Sequence, residues 1–433
     1  MPVPTTNDAV VARSLASVWH PCTQMKHHER WPLLPIARGE GAWLYDFEGK
    51  RYLDAVSSWW VNLFGHANPR IRAALADQLE SLEHTMLAGA THLPVIELSE
   101  RLARLSGLGH AFYASDGASA VEIALKMSFH YWRNSGRPQK CRFAALEGGY
   151  HGETIGALGV TDVAIFREAY APLLAPQIRL PFPADAGQVE SAVAALESLL
   201  QERHAEIAAL IVEPLVQGAS GMRMYSPEYL ARARALCTQY EVHLIADEIM
   251  TGFGRTGTLF ACEQGAILPD FLCLSKGITG GYLPLSCVLT TDTVYAAFYD
   301  EDTARGFLHS HSYTGSALAC RAALATLDIF ADDDVLASNR AKAARFDAIA
   351  TRLRDHPAVS HWRRCGMIWA FDYRHASPAF AREFYLAAAR RGILLRPIGA
   401  SVYFMPPYIV QDEEFAFLVD GTMAVLDEMA GAK

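Results

Sequence analysis

Two side chains in this sequence are suited to act together. Asp247 and Lys276 each stand at the end of a short apolar run, Val242-His-Leu-Ile-Ala246 and Phe271-Leu-Cys-Leu274. A carboxylate at such a place can hold a heterocyclic nitrogen in its protonated form, and an amine can condense with an aldehyde. Pyridoxal phosphate needs that pair, because its ring draws electrons only while the ring nitrogen keeps a proton. Taken singly, Lys276 reads as a surface lysine and Asp247 as a helix cap. Together, among Gly252, Gly254, Gly257, Gly277, Gly280 and Gly281, they point to that cofactor.

Two further segments fit the same chemistry. Ser115-Asp-Gly-Ala-Ser-Ala-Val-Glu122 is a small-residue turn entering an amphipathic stretch. A helix beginning there offers backbone N–H groups and its positive end to a phosphate, and Gly117 lets the anion come close. By itself the turn is ordinary capping; beside Asp247 and Lys276 it becomes a phosphate cup. Gly148-Gly-Tyr-His-Gly-Glu-Thr154 supplies an aromatic ring, Tyr150, in a glycine-rich turn. The run His309-Ser-His-Ser-Tyr313 suggests a metal at first sight, but no Cys, His or carboxylate partners follow at ligand spacing, so no metal is expected.

These residues need a scaffold, and the sequence implies one. Short apolar runs, Ile207–Val212 among them, alternate with longer amphipathic stretches such as Ala118 to Trp132 and Pro227 to Tyr240, the pattern of an α/β domain around a mostly parallel sheet. The runs end in Glu213-Pro214, Asp247-Glu248 and Ser275-Lys276, and ligands of parallel sheets sit beyond the carboxyl ends of the strands. A helix over Leu318 to Phe330 leads through Asp332-Asp333-Asp334 into about 100 residues that suit a separate domain. The expected organisation is a large cofactor domain over 65–320 and a smaller α+β domain assembled from 1–64 and 321–433.

The 433 residues are 51% hydrophobic and 20% charged, which excludes a disordered chain. The net charge of -9 and the lack of a basic run argue against nucleic acid, and no stretch approaches the ~18 apolar residues of a spanning helix. A cytoplasmic protein is expected, its 8 scattered cysteines reduced.

The segment Asp247-Glu-Ile-Met-Thr-Gly-Phe-Gly-Arg-Thr-Gly257 with Ser275-Lys276-Gly277 resembles the signature of class III aminotransferases, which belong to the aspartate-aminotransferase fold type, fold type I of the enzymes that use pyridoxal phosphate. The resemblance implies a large domain with a seven-stranded, mostly parallel sheet. It makes Lys276 the catalytic amine, with Asp247 on the pyridine nitrogen, Ile249 beneath the ring and Tyr150 on its outer face and along the substrate pocket. Gly117 and Ala118 fall at the phosphate, where relatives often have Gly-Ser. His309 to Gly315 resembles a loop that crosses a dimer interface, with Ser312 at the hydroxyl that reaches the partner's phosphate and His311 beside it. The implied assembly is a homodimer with shared active sites.

Three more segments, Trp19 to Met25, Asp54 to Trp60 and Leu395 to Tyr408, resemble the branch of this family that works in biotin synthesis. That implies transfer of an amino group from S-adenosylmethionine, or from lysine, to 8-amino-7-oxononanoate. The acceptor's long chain and terminal carboxylate call for aromatic walls and a cation: Trp59, Trp60, Tyr150 and Tyr403 for the first, Arg396 for the second. Arg255 would serve the donor's carboxylate, and Ser310 stands where relatives have a substrate-touching glycine. Cys22 replaces a tyrosine usual over the substrate and lacks its ring and hydroxyl. An ω-amine aminotransferase acting on a diamine or a γ-aminobutyrate-like donor would share every cofactor residue; the tandem Trp59-Trp60 argues against it. A DNA-binding regulator would carry a basic domain, and a dinucleotide enzyme a G-x-G-x-x-G turn after a strand.

Overall fold

The computed structural model describes residues 6–431, which divide into two compact units. The larger comprises Arg70–Arg340 and Arg364–Ile368; the smaller takes the chain up to Pro69, Ala341–Arg363 and the chain from Trp369 onward.

The large unit is built on a seven-stranded sheet in the spatial order His110–Ala114, Ser286–Thr290, Phe271–Leu274, His243–Asp247, Ile207–Val212, Arg142–Leu146, Ile178–Leu180. Only Ser286–Thr290 runs against its neighbours. The middle strands are buried along their whole length, which is why they read as unbroken apolar runs. The helix Gly117–Asn134 lays Val121, Ala124 and Leu125 on this sheet, where they meet Ala208, Ile211, Ile245 and Phe271 in one apolar core. Two polar ties fix it there: Trp132 Nε1 donates to Ala208 O at 2.9 Å, and Ser128 Oγ lies 2.9 Å from His243 Nδ1.

The parallel register gathers the chemistry at one edge. Ala246 pairs with Val212 on one side, and Asp247 with Cys273 on the other. Glu213, Asp247 and Ser275-Lys276 therefore leave adjacent strands at the same level. The loop holding Tyr150 and His151 leaves the next strand over, and Ala114, paired with Ser286, delivers Gly117 to that edge as well.

The small unit joins both ends of the chain. Ile36–Glu40, Trp43–Asp46 and Arg51–Asp54 form an antiparallel meander, and Ile393–Leu394 adds to it parallel to Arg51–Asp54. A second sheet holds Val359–Cys365, Ile368–Tyr373 and Ser401–Phe404.

The compact units divide at Pro69/Arg70 and inside the helix Val335–Arg354 at Arg340/Ala341, where the sequence set boundaries at 64/65 and 320/321. The reason is burial. The helix Ala317–Asp332 hides Cys320, Ala323, Leu324, Leu327 and Ile329, and Arg101 of the helix Leu93–Ser106 reaches its Leu324 O and Asp328. The hairpin tip Arg364–Ile368 returns to the large unit because Met367 N donates to Arg255 O at 2.8 Å. A Cβ at Gly366 would meet the backbone of Thr256 at 2.3 Å, so only glycine fits. None of the described helices is long and apolar enough to cross a membrane.

Candidate active site

Asp247 closes its strand with 4% of its surface exposed. Its Oδ2 lies 2.8 Å from His151 Nδ1, and its Oδ1 accepts from Ile249 N at 3.2 Å. The other ring nitrogen, Nε2, is buried and has no hydrogen-bond partner among the described residues. Lys276 begins the turn after its strand at a φ of +46°, a left-handed conformation uncommon for non-glycine residues. Lys276 is half-buried as a residue, and its amine is far enough from water to be desolvated. Desolvation draws its pKa below the ordinary lysine value, against the opposing pull of Asp247 and Glu213.

Glu213 is a third titrating group at this edge, and sequence reasoning gave it no role. Its Oε1 accepts from Tyr150 N at 2.9 Å and its Oε2 from Gly218 N at 3.0 Å, tying two loops to one strand end. Burial pushes its carboxyl up to about 7; His151 opposes that shift and Asp247 reinforces it. The usable signal was its place at the end of an apolar run, level with Asp247. His151 is likewise drawn in through Asp247.

Around this cluster the small residues make room. Asp116 caps the helix Gly117–Asn134, accepting from Ser119 N at 2.9 Å and from Ser119 Oγ at 2.8 Å. The hydroxyl next to Ala118 is thus turned to the cap, while the N–H groups of Gly117 and Ala118 precede the helical ladder. A Cβ on Gly117 would stand 3.0 Å from the Ile249 side chain, and one on Gly152 2.5 Å from Ala118 Cβ. Gly117 therefore packs against Ile249, and Ala118 against the Tyr150 loop. Tyr150 donates its hydroxyl to Glu153 Oε1 at 2.9 Å, and its ring tilts against Phe166. A buried carboxylate, a buried amine, a helix start without side-chain bulk and a nearby phenol ring together fit pyridoxal phosphate.

The remaining expected residues separate by unit. Arg255 is in the large unit, 1% exposed, its carbonyl holding Met367 N. Ser310 and Ser312 are exposed; Ser312 O accepts from His84 Nε2 at 2.8 Å, and His311 Nε2 lies 3.1 Å from His309 Nε2. Among the described residues no group of His, Cys, Asp or Glu could hold a metal ion.

In the small unit the structure joins Cys22, Trp59 and Arg396. Arg396 lays its guanidinium over the Trp59 ring, 4.5 Å from the centroid, and its Nη2 donates to Cys22 O at 3.1 Å. Trp59 is 42% exposed. Tyr403, expected as a wall, is only 3% exposed and accepts from Trp60 Nε1 at 3.1 Å. Ser57, Ser58, Trp59 and Trp60 all have φ between +47° and +72°. Left-handed backbone costs about 1–2 kcal/mol per non-glycine residue, so this turn is held by its surroundings.

The class III aminotransferase family model matches residues 24–426. The chain belongs to the class III aminotransferases. Members of this family depend on pyridoxal phosphate, the cofactor that the arrangement at Asp247 and Lys276 fits. Among class III relatives, the adenosylmethionine-8-amino-7-oxononanoate aminotransferase of Helicobacter pylori is 45% identical over 97% of this chain and 98% of its own. The protein of the same name from Aquifex aeolicus is 38% identical over 95% of each. The crystal structure of that aminotransferase from Methanocaldococcus jannaschii superposes with a TM-score of 0.94 at 34% identity, covering 98% of this chain and 99% of its own. An amine transaminase from an uncultivated Pseudomonas species, in its pyridoxal-phosphate-bound form, gives 0.89 at 31% identity, covering 95% and 98%.

Proposed function

We propose that this aminotransferase moves an amino group from S-adenosylmethionine to 8-amino-7-oxononanoate, giving 7,8-diaminononanoate for biotin synthesis in the cytoplasm, and that it works as a homodimer. The observation that carries the substrate reading is Arg396 seated on Trp59, an exposed cation on an aromatic face with no carboxylate paired to it among the described residues. A long aliphatic acceptor with one terminal carboxylate suits that combination, a bidentate guanidinium for the carboxylate and apolar surface for the chain. The names of the relatives from Helicobacter pylori and Methanocaldococcus jannaschii support the same reading.

Bound pyridoxal phosphate supplies a reactive aldehyde and a protonated ring that takes up electron density as a proton leaves the substrate carbon. The chain's own residues do the rest. Asp247, oriented by His151, holds a negative charge where the ring nitrogen needs one. Lys276, its amine made less basic by burial, accepts the proton at Nζ and returns it. Gly117 and Ala118 at the helix start receive the phosphate, and Tyr150 limits the approach of water and substrate from the outer side. Leu308, 80% exposed, with Tyr313 and Met86 also outward, supports a second copy over the loop that carries Ser310, His311 and Ser312. Arg255 then awaits the donor's carboxylate.

The test supplies purified holoenzyme with 8-amino-7-oxononanoate and either S-adenosylmethionine or lysine, and detects 7,8-diaminononanoate by mass spectrometry. Product with S-adenosylmethionine is expected. No product with either donor, together with turnover of a diamine or γ-aminobutyrate, would replace this reading by the ω-amine one.

A further inference from the structure

We propose that Asp54 is a positioning residue for the acceptor's carboxylate, acting through the left-handed turn Ser57–Trp60 that sets Trp59 beneath Arg396. The inference rests on the reading of Arg396 given above. It starts from a side chain with no exposed surface. Asp54 accepts from Ser58 N at 2.8 Å and from Ser58 Oγ at 2.7 Å, and its Oδ2 lies 3.0 Å from His66 Nε2. His66 Nδ1 lies 3.2 Å from Asn62 Nδ2, so Asn62 donates to Nδ1 and the proton of the neutral ring sits on Nε2, aimed at Asp54. Both carboxylate oxygens are thereby engaged, and one of them is steered by a ring that is itself held.

Ser58 is the second of four successive residues at positive φ, with φ 47° and ψ 53°. Nothing in the Ser-Ser-Trp-Trp sequence favours such a path, because none of the four is glycine. The turn is pinned at three points: Asp54 grips Ser58, Ser57 Oγ donates to Met405 O at 2.7 Å, and Trp60 Nε1 donates to Tyr403. Trp59 alone is left outward, and Arg396 lies on it. In a right-handed turn the Trp59 side chain would leave in another direction, and Arg396 would keep only the Cys22 carbonyl. Asp54 touches neither substrate nor cofactor; it fixes where the cation waits.

The experiment compares two acceptors, 8-amino-7-oxononanoate and its methyl ester, on the holoenzyme and three variants. Asp54→Asn keeps one acceptor for Ser58 N but cannot serve Ser58 Oγ and His66 as well. It should raise KM for the carboxylate acceptor about tenfold, leave KM for the ester within about twofold, and hold kcat and the visible absorption of the cofactor near the parent's. Arg396→Ala should remove the preference for the carboxylate, and the Asp54→Asn/Arg396→Ala double variant should be no worse than Arg396→Ala alone. Should Asp54→Asn fail to fold, Ser58→Ala serves in its place with the same comparison and a severalfold effect on KM. Loss of preference in Arg396→Ala with no change in Asp54→Asn or Ser58→Ala overturns the positioning role and leaves the reading of Arg396 standing. An unchanged preference in Arg396→Ala overturns that reading itself.

Discussion

The carboxyl edge of the large unit and the Ser57–Arg396 region of the small unit hold their charges in opposite ways. At the edge, Asp247, Glu213 and the amine of Lys276 are enclosed, and desolvation has moved both Glu213 and Lys276 toward their neutral forms. In the small unit Arg396 faces solvent, and its place is set by stacking on Trp59 and by a carbonyl. Under the proposed function, enclosure tunes proton affinity for a chemical step, while an exposed, propped cation sets only where a substrate rests. Substitutions at the first region should therefore act on turnover, and at the second on KM.

The sharpest way to break this contrast is Lys276→Ala. Loss of the group that moves the proton should lower kcat by about a thousandfold or more, while the variant still retains cofactor through the Gly117 helix start. Single-turnover kinetics and the cofactor's absorption read both quantities. Turnover surviving within tenfold would show that another base serves the site. Asp247→Asn should follow at about a hundredfold, because removing one preorganised charge from an enclosed site has that order of effect. It should also change the partner of His151 Nδ1, visible as a shifted imidazole resonance, whereas near-normal turnover would separate Asp247 from the chemistry.

The two regions were unequally legible in the sequence, for a physical reason. Parallel strands covered on both faces must be apolar throughout, so Asp247, Glu213 and Lys276 stand out as the points where such runs stop. Their proximity follows from strand register, and Gly117 and Tyr150 follow from their glycine-rich turns. The left-handed turn has no such signature. Ser57 to Trp60 contain no glycine, and what forces their backbone is Asp54 together with Met405 and Tyr403, the latter two distant in the sequence. Tyr403 shows the same limit, because its aromatic type suited a wall while its hydrogen bond to Trp60 makes it a support. The boundary expected at 320/321 falls inside the helix Ala317–Asp332, whose apolar face is buried in the large unit.

Glu213 offers a gentler test of the enclosed edge. Its carboxyl stands at about 7 when folded, above the ordinary 4.5. The folded state then binds the proton more tightly than the unfolded chain does. The stability this contributes is complete below about pH 4.5 and is lost as pH rises through about 7. Below about pH 5 Glu213→Gln should be less stable than the parent, by about 1–3 kcal/mol, since an amide nitrogen must face one of the Tyr150 and Gly218 N–H groups, and the gap should narrow as pH rises through about 7. Its denaturant midpoint should nevertheless fall less between pH 5 and 7 than the parent's. Glu248, also buried and pushed up to about 7, titrates in both proteins and cancels in the comparison. Equal slopes would mean that Glu213 is already ionised when folded.

The smallest expected effect is at the exposed region, and it bears on the donor. Cys22 has a φ of +55° and holds Arg396 through its backbone carbonyl, so a change of side chain leaves that contact in place. Cys22→Tyr adds an aromatic ring beside the Arg396 and Trp59 pair, at a backbone position already left-handed for a non-glycine residue. A bulky adenosyl sulfonium gains surface from that ring, at about 0.5–1.5 kcal/mol for a well-placed aromatic contact, whereas lysine loses space it would occupy. With S-adenosylmethionine as donor, KM for it should fall severalfold in Cys22→Tyr, while any activity with lysine declines and KM for the acceptor stays within about twofold. The ratio of kcat/KM for the two donors, measured on the parent and on Cys22→Tyr, reads this directly. A ratio that moves toward lysine would place the donor away from Cys22 and leave Trp59 to the acceptor alone.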